Sequence, residues 1–321
     1  MNRIFVALLA LLAWLGLAHA QSDYPNRPIT LLVPFPPGGS ADTVIRPIAQ
    51  KVADVLKQPI VIDNRPGGGG NVAAVATKQA APDGYTLFLT NMGVMSVNPI
   101  LTPDLRFDPV KDFSPITPII SFPHILVVPA DSPAKTIGEL AAYARTKPGG
   151  LSFGSQGVGS GGQIIGEMFK ARLGAPMVHV PFRGAGPAAT EIMAGRIDFL
   201  FTSYISVGEQ AKAGKLRMIA VAGKKRTDAA PDLPTVAEAG FAGLDMDMWH
   251  GMVAPAGTPA PIVRRLNEEF SKAARAPDIM RIIAPQATDL MLSTPGEFQK
   301  MIAEDTERLS KIIRDAGIKA Q

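Results

Sequence analysis

The sequence lacks cysteine entirely, and aromatic residues make up only 6% of its 321 residues. A chain without cysteine has no disulfide scaffold, no thiolate metal site and no cysteine nucleophile. The formal net charge is only +4 and Lys and Arg form no basic run, which argues against a nucleic-acid groove. Hydrophobic residues nevertheless make up 46% of the chain, enough for a sizeable core, and the length suits two domains.

Motifs for catalysis or metal binding are also scarce. The chain has four histidines: His19, His124, His179 and His250. None lies at metal-ligand spacing, and we interpret the last three as core residues whose hydrogen bonds are satisfied. Neither Ser155 nor Ser160 has the glycines of a nucleophile elbow, and there is no P-loop motif. We therefore predict no catalytic residue, no cofactor and no metal.

The first twenty residues have the pattern of a secretory signal peptide. Arg3 precedes an uncharged apolar run over residues 4–17, and Ala18 and Ala20 flank His19 in the small-x-small pattern of a cleavage site. The alternative is a membrane anchor. An apolar helix over these residues would be roughly 21 Å long at ~1.5 Å per residue, short of the ~30 Å hydrocarbon core. We expect cleavage after Ala20 and an exported mature chain.

Short β-branched runs alternate with helical patterns along the mature chain. Residues 29–35 form a continuous apolar strand before a helix at 41–56, and residues 60–63 precede a helix near 72–79. Strands that are apolar throughout are typical of parallel sheets covered on both faces, so we predict an α/β fold. Capping-box spacing, with Glu three residues after Thr136 and after Thr235, predicts two helix starts.

A repeated Pro-Ala pattern suggests the domain layout. Residues 129–133 and 255–259 both follow an apolar strand and precede a helix. The repeat is either a coincidence or marks two equivalent strands that cross between lobes. On the second interpretation, residues 21–123 and 247–321 form one discontinuous lobe, and residues 124–246 form the other.

Four strand-to-helix turns are rich in glycine and poor in charge: residues 36–42, 66–71, 155–162 and 183–187. The first amides of a helix lack internal partners, and without Cβ atoms an anion can approach them closely. The simpler alternative is that the glycines only permit tight turns. Residues 157–162 also match a dinucleotide fingerprint, but the confirming acidic residue after the next strand is absent. Asp42 either holds the amides of its own loop or meets a polar group of a ligand.

Nine segments along the chain resemble the signatures of one family, the tripartite tricarboxylate transporter receptors, also called Bug proteins: residues 33–42, 63–67, 81–87, 107–113, 157–160, 179–184, 214–217, 234–240 and 254–259. The resemblance implies a type II periplasmic binding protein, with two lobes, each a mainly parallel sheet flanked by helices, and a ligand cleft between them. Such a protein would be a periplasmic monomer. It would bind a small carboxylate, not nucleic acid, and deliver it to a permease of one large and one small subunit.

The resemblance also implies a set of ligand-binding residues. They are Phe35, Gly38, Gly39, Asp42, Thr90, Asn98, Ser155, Gly159, Ser160, Arg183, Gly184 and Thr202. The sequence departs from the common family pattern at Gln163, Phe182 and Thr202, so the identity of the carboxylate cannot be copied from a relative. The alternative function is an exported α/β enzyme acting on a carboxylate or a nucleotide, which turnover of the added compound would reveal.

Overall fold

The structure, a computed structural model, describes residues 24–318, so the predicted signal peptide lies outside the described residues. The strands are β1 (Ile29–Val33), β2 (Ile60–Asn64), β3 (Thr86–Asn91), β4 (Phe113–Pro129), β5 (Leu151–Ser155), β6 (Met177–Pro181), β7 (Phe199–Ser203), β8 (Leu216–Ala222), β9 (Asp247–Pro255) and β10 (Asp289–Leu290). The α-helices are α1 (Ser40–Leu56), α2 (Asn71–Lys78), α3 (Asn98–Leu101), α4 (Ile137–Thr146), α5 (Gly161–Leu173), α6 (Ala185–Met193), α7 (Tyr204–Lys212), α8 (Ala260–Ala274), α9 (Pro277–Ile283) and α10 (Pro295–Asp315). A π-helical turn spans Gly93–Val97, and short 3₁₀ turns span Gly68–Gly70 and Ala284–Gln286.

The strands pair in two groups that share β4. The first sheet has the order β2-β1-β3-β9-β4, with β10 added against β4. Its β1, β2 and β3 are parallel, whereas β9 runs antiparallel to β3 and β4. In the second sheet β5 is parallel to β6 and β7, and β4 is antiparallel to β7 and β8. This alternation of strands and helices confirms the predicted α/β class.

The long strand β4 passes from one sheet to the other. Residues 113–123 pair with β9, and from His124 onward the strand pairs with β7 and β8. Three prolines interrupt its first part, and the register shifts after Pro115 and after Pro118. Proline causes these register shifts, because it has no N–H to donate to the neighbouring strand. The chain returns to the first sheet between β8 and β9, over residues 223–246. The division into lobes stays a prediction.

Aromatic residues concentrate in the core of the second sheet. Phe153, Phe169, Phe199 and Phe201 are fully buried, with the rings of Phe153 and Phe199 stacked 5.3 Å apart and Phe169 packed edge-on against Phe199 at 5.7 Å. Buried aromatic pairs add packing energy beyond the area they remove from water. Because the chain has no cysteine, this apolar packing holds the fold without cross-links.

One predicted helix start is confirmed and the other is wrong. Thr136 caps α4 by accepting a hydrogen bond from the Glu139 amide. Thr235 and Glu238 make both bonds of a capping box, yet only a single turn follows. The turn ends at Gly240, whose left-handed backbone (φ +88°) is typical of a helix end. The capping box therefore formed as predicted, but no α-helix follows it, because the chain turns away within five residues.

Candidate functional site

A cleft with an empty volume of about 900 Å³, open mouth included, lies between the two sheets. The first sheet contributes the loop before α1 together with Trp249 and His250 of β9. The second contributes the loops before α5 and α6 and the end of β7. Phe122 and His124, on either side of the point where β4 changes sheets, complete the lining. The cleft is therefore built where the two sheets meet.

Four helices begin at this cleft. Their N-cap residues are Gly39 for α1, Ser160 for α5, Gly184 for α6 and Ser203 for α7, and all four line the cleft. None of the four has a side-chain cap from a described residue. Outside the lining, Thr136 and Thr294 cap α4 and α10, and the starts of α2, α3, α8 and α9 also have no such cap. The first amides of a helix carry partial positive charge and need an acceptor. The cleft is therefore lined by backbone N–H donors that no described side chain caps.

Charged side chains are missing from the described residues that line the cleft. Asp42 lies behind its first loop and is turned toward the loop itself. Its Oδ2 accepts hydrogen bonds from the Gly38 amide (3.1 Å) and Arg46 Nε (2.8 Å), and its Oδ1 accepts one from Asn64 Nδ2 (3.1 Å). Burial opposes ionisation, but these hydrogen bonds prevail and hold the pKa of Asp42 below its usual value. These contacts favour the loop-holding role.

Replacing Asp42 with Asn is expected to cost about 1–2 kcal/mol of unfolding free energy at neutral pH, because three donors lose a charged acceptor. The pKa of Asp42 is lowered in the folded state. Its contribution is therefore present above the unfolded pKa and disappears as the pH falls through the folded one. Denaturant titrations should show the stability gap between wild type and Asp42→Asn closing as the solution is acidified below about pH 4. Asp131→Asn is the control, since Asp131 is exposed. A stability difference between wild type and Asp42→Asn that did not change with pH would contradict this role.

The structure brings only half of the predicted site residues to the cleft. Those that line it are Phe35, Gly38, Gly39, Ser160, Gly184 and Thr202. Those that do not are Asp42, Thr90, Asn98, Ser155, Gly159 and Arg183. Several of the second group are held by other protein atoms. Ser155 Oγ lies 2.7 Å from His179 Nε2, the Gly159 amide donates to Gln163 Oε1 at 2.7 Å, and Asn98 Nδ2 donates to Asn71 Oδ1 at 2.5 Å.

Glycines let the loop before α5 press against the first sheet. A Cβ at Gly69 would lie 2.1 Å from Val158 O, and one at Gly93 would lie 2.6 Å from Gly159 O. A Cβ at Gly161 would lie 2.0 Å from Met248 Sδ. No real Cβ approaches other atoms so closely. At Gly69 and Gly93 the opposing atom is backbone, so the contact requires glycine, whereas at Gly161 the flexible Met248 side chain would have to shift. Part of the glycine enrichment is thus explained by packing between the two sides of the cleft.

Two histidines that the sequence analysis placed in the core lie on the cleft. His124 and His250 line the cleft, and Nδ1 of His124 and both ring nitrogens of His250 have no partner among the described residues. Our interpretation of them as satisfied core residues was wrong, whereas His179 does contact Ser155. No cluster of three potential metal ligands occurs within residues 24–318. The sequence could have indicated their position on the cleft, since both histidines lie within four residues of the predicted lobe boundaries and the cleft was expected between the lobes.

Comparison with known proteins gives a consistent result. Residues 44–318 match the family model described as "Tripartite tricarboxylate transporter family receptor". Protein BugT of Bordetella pertussis is 31% identical over 322 residues, which cover 99% of each chain. Two solved structures from Rhodopseudomonas palustris are each 31% identical to this chain. Rpa4515 with adipate has a TM-score of 0.90 and covers 93% of this chain and 100% of its own. MatC with bound malate has a TM-score of 0.86, with coverage of 90% and 100%.

Proposed function

This chain belongs to the tripartite tricarboxylate transporter receptor family, and from that premise we propose that it binds a small carboxylate in the cleft and passes it to a membrane permease. The observation that carries the proposal is the convergence of four helix starts without side-chain caps on a cleft whose described lining has no charged side chain. A carboxylate would supply the acceptors that these amides need.

The energetics suit a reversible receptor. Each hydrogen bond between a carboxylate oxygen and an amide contributes ~1.5–3 kcal/mol, and ordering costs remove part of the total. Four or five such bonds are compatible with micromolar affinity, which needs about −8 kcal/mol. Adipate and malate, the ligands named for the two neighbours, are carboxylates of small size. No covalent step is needed, so we assign no catalytic residue.

We assign the predicted site residues to two layers. Phe35, Gly38, Gly39, Ser160, Gly184 and Thr202 would contact the ligand, because they line the cleft. Asp42 would hold the first loop in place through its hydrogen bond with the Gly38 amide, whereas Thr90, Asn98, Ser155, Gly159 and Arg183 lie outside the lining. Closure of the lobes 21–123 plus 247–321 and 124–246 around the ligand would exclude water from the carboxylate.

The partner and the location are part of the same proposal. The receptor would be a monomer in the periplasm after removal of residues 1–20, and its permease would have one large and one small subunit. In the described part of the chain, no helix combines the length and the apolar character that crossing a membrane requires.

Tryptophan emission offers a direct test of ligand binding. Trp249 lines the cleft and is the only tryptophan of the mature chain, since Trp14 lies within the predicted signal. Its Nε1 donates to Asp305 at 2.7 Å, and its ring packs edge-on against Phe298 at 5.3 Å. Because the indole is fixed and buried, a bound carboxylate should change its emission saturably. We expect this result for mono- or dicarboxylates that also raise the melting temperature.

The same experiment separates a receptor from an enzyme. The added compound should be recovered chemically unchanged after prolonged incubation, as judged by mass spectrometry. Trp249→Phe should abolish the optical signal but leave binding detectable by calorimetry. Conversion of the compound into a product would support the enzyme alternative, and the absence of binding by every carboxylate would refute the proposal.

A further inference from the structure

One wall of the cleft is a row of rings instead of helix starts. The rings of Phe35 and His250 lie 6.1 Å apart, those of His250 and Phe122 lie 5.1 Å apart, and those of Phe122 and His124 are stacked at 6.0 Å. The row crosses from the first sheet to the second along β4 and β9. Neighbouring rings are tilted by 55°, 47° and 22°, so together they form a ring-lined wall against which an aromatic ring can pack edge-on or offset.

Polar atoms without partners accompany these rings. His250 has two such ring nitrogens, and His124 Nδ1, Thr202 Oγ1 and Asn91 Nδ2 are also buried without a hydrogen bond within the described chain. All four residues line the cleft and are at least nine-tenths buried. A buried polar atom that is left unpaired lowers stability, so such atoms are normally paired with protein, water or ligand. These four side chains therefore form a polar subsite beside the row of rings.

The charge state of this subsite limits what it can accept. Burial lowers the pKa of His124 to about 4 and that of His250 to about 3, where His124 adds to the effect. The other lining groups around them, including Asn91, Gln156 and Thr202, carry no charge, and the Asp305 carboxylate behind the lining is engaged by Trp249. A neutral imidazole has one donor and one acceptor. His124 Nε2 lies 3.4 Å from Gln156 Oε1, which only accepts, so the unpaired Nδ1 of His124 is an acceptor, whereas His250 offers both. The subsite thus fits a group that both donates and accepts.

We propose that the ligand is a monocarboxylate with a flat apolar body that carries a hydroxyl group, such as a hydroxylated aromatic acid. The carboxylate would lie at the helix starts, the body against Phe35 and Phe122, and the hydroxyl among His124, His250 and Thr202. A second carboxylate is disfavoured there, because it only accepts hydrogen bonds and cannot donate to the acceptor nitrogens of the neutral imidazoles. This inference rests on the proposed carboxylate-binding function and names the substrate class.

Calorimetry on a matched panel tests the inference. The probes are meta- and para-hydroxybenzoate, benzoate, terephthalate and adipate, the last two being an aromatic and an aliphatic dicarboxylate. The better hydroxybenzoate should bind about tenfold tighter than each of the other three, because a site built around a hydroxyl rejects an analogue that lacks it. Tighter binding of terephthalate or adipate, or equal binding of benzoate, would overturn this inference and leave the receptor function standing. Binding of none of the five would count against both.

A variant separates the polar subsite from the rest of the cleft. His250→Phe keeps a ring between Phe35 and Phe122 but removes both unpaired nitrogens. Hydroxybenzoate affinity should fall about tenfold, to the level of benzoate, whereas benzoate affinity should stay within about twofold of wild type. A melting curve checks that the variant is folded. Parallel losses for both ligands would contradict hydroxyl recognition.

The dependence of affinity on pH gives an independent readout. Both histidines stay neutral between about pH 8 and about pH 6, so hydroxybenzoate affinity should be constant over that range. If the subsite instead took up a proton to hold a second carboxylate, the affinity for terephthalate would rise steadily as the pH fell. That rise would overturn the inference.

Discussion

Gly93→Ala should weaken carboxylate binding by about 10- to 100-fold while leaving the chain folded. A methyl group at this position would lie 2.6 Å from Gly159 O, on the opposite side of the cleft, and 2.9 Å from Asn91 Oδ1. Relieving overpacking of this kind costs about 1–3 kcal/mol. Moving the two sides of the cleft apart costs less than compressing this contact. The opened cleft would lower the fraction of molecules that can bind the ligand.

The control for Gly93→Ala is Gly186→Ala. Gly186 also lines the cleft, but a Cβ there meets no atom of residues 24–318 within 4 Å, and the residue lies in the first turn of α6. This variant should bind like wild type or melt slightly higher, because alanine favours a helix. Calorimetry gives the affinities, and small-angle scattering should show Gly93→Ala to be more extended than Gly186→Ala. Unchanged affinity would mean that the clash is absorbed locally and that closeness of the two loops is not needed for binding.

Local sequence patterns were sufficient to predict the strand and the helix that flank the first loop of the cleft. The strand at residues 29–35 and the helix at 41–56 are found as β1 and α1, with bounds shifted by a residue or two. Apolar runs, helical periodicity and glycine turns act over a few residues, so the sequence records them directly. The predicted loop residues Gly38, Gly39 and Gly184 reach the cleft for the same reason, because a turn between strand and helix opens at the sheet edge.

Patterns of this kind do not indicate which side chains meet across the fold. His124 and His250 lie 126 positions apart and come together with Phe122 only because β4 pairs with β9. Ser155 was predicted to contact the ligand, but its hydroxyl turns to His179 on the neighbouring strand β6. Strand order and side-chain direction depend on long-range pairing. A single sequence therefore predicts the loops of the site better than the row of rings formed by β4 and β9.

Gly39→Pro tests directly whether the Gly39 backbone amide binds the carboxylate of the ligand. Gly39 is the N-cap of α1, and its φ of −79° suits proline, so the backbone can keep its path. Its amide makes no hydrogen bond to another described residue and lies on the cleft. Removing one amide that holds a carboxylate should cost ~1.5–3 kcal/mol, which corresponds to roughly 10- to 100-fold in affinity.

Gly39→Ala supplies the matched control, because alanine keeps the amide and a Cβ there has its nearest neighbour, Pro36 O, at 4.0 Å. Alanine should therefore bind within about threefold of wild type, and the difference between the two variants isolates the N–H group. The loss in Gly39→Pro should be the same for every carboxylate of the panel, whatever its body, since the amide faces only the anionic end. If instead the loss differed between benzoate and adipate, Gly39 would contact the ligand body, and the carboxylate would have to lie at the starts of α5 and α6.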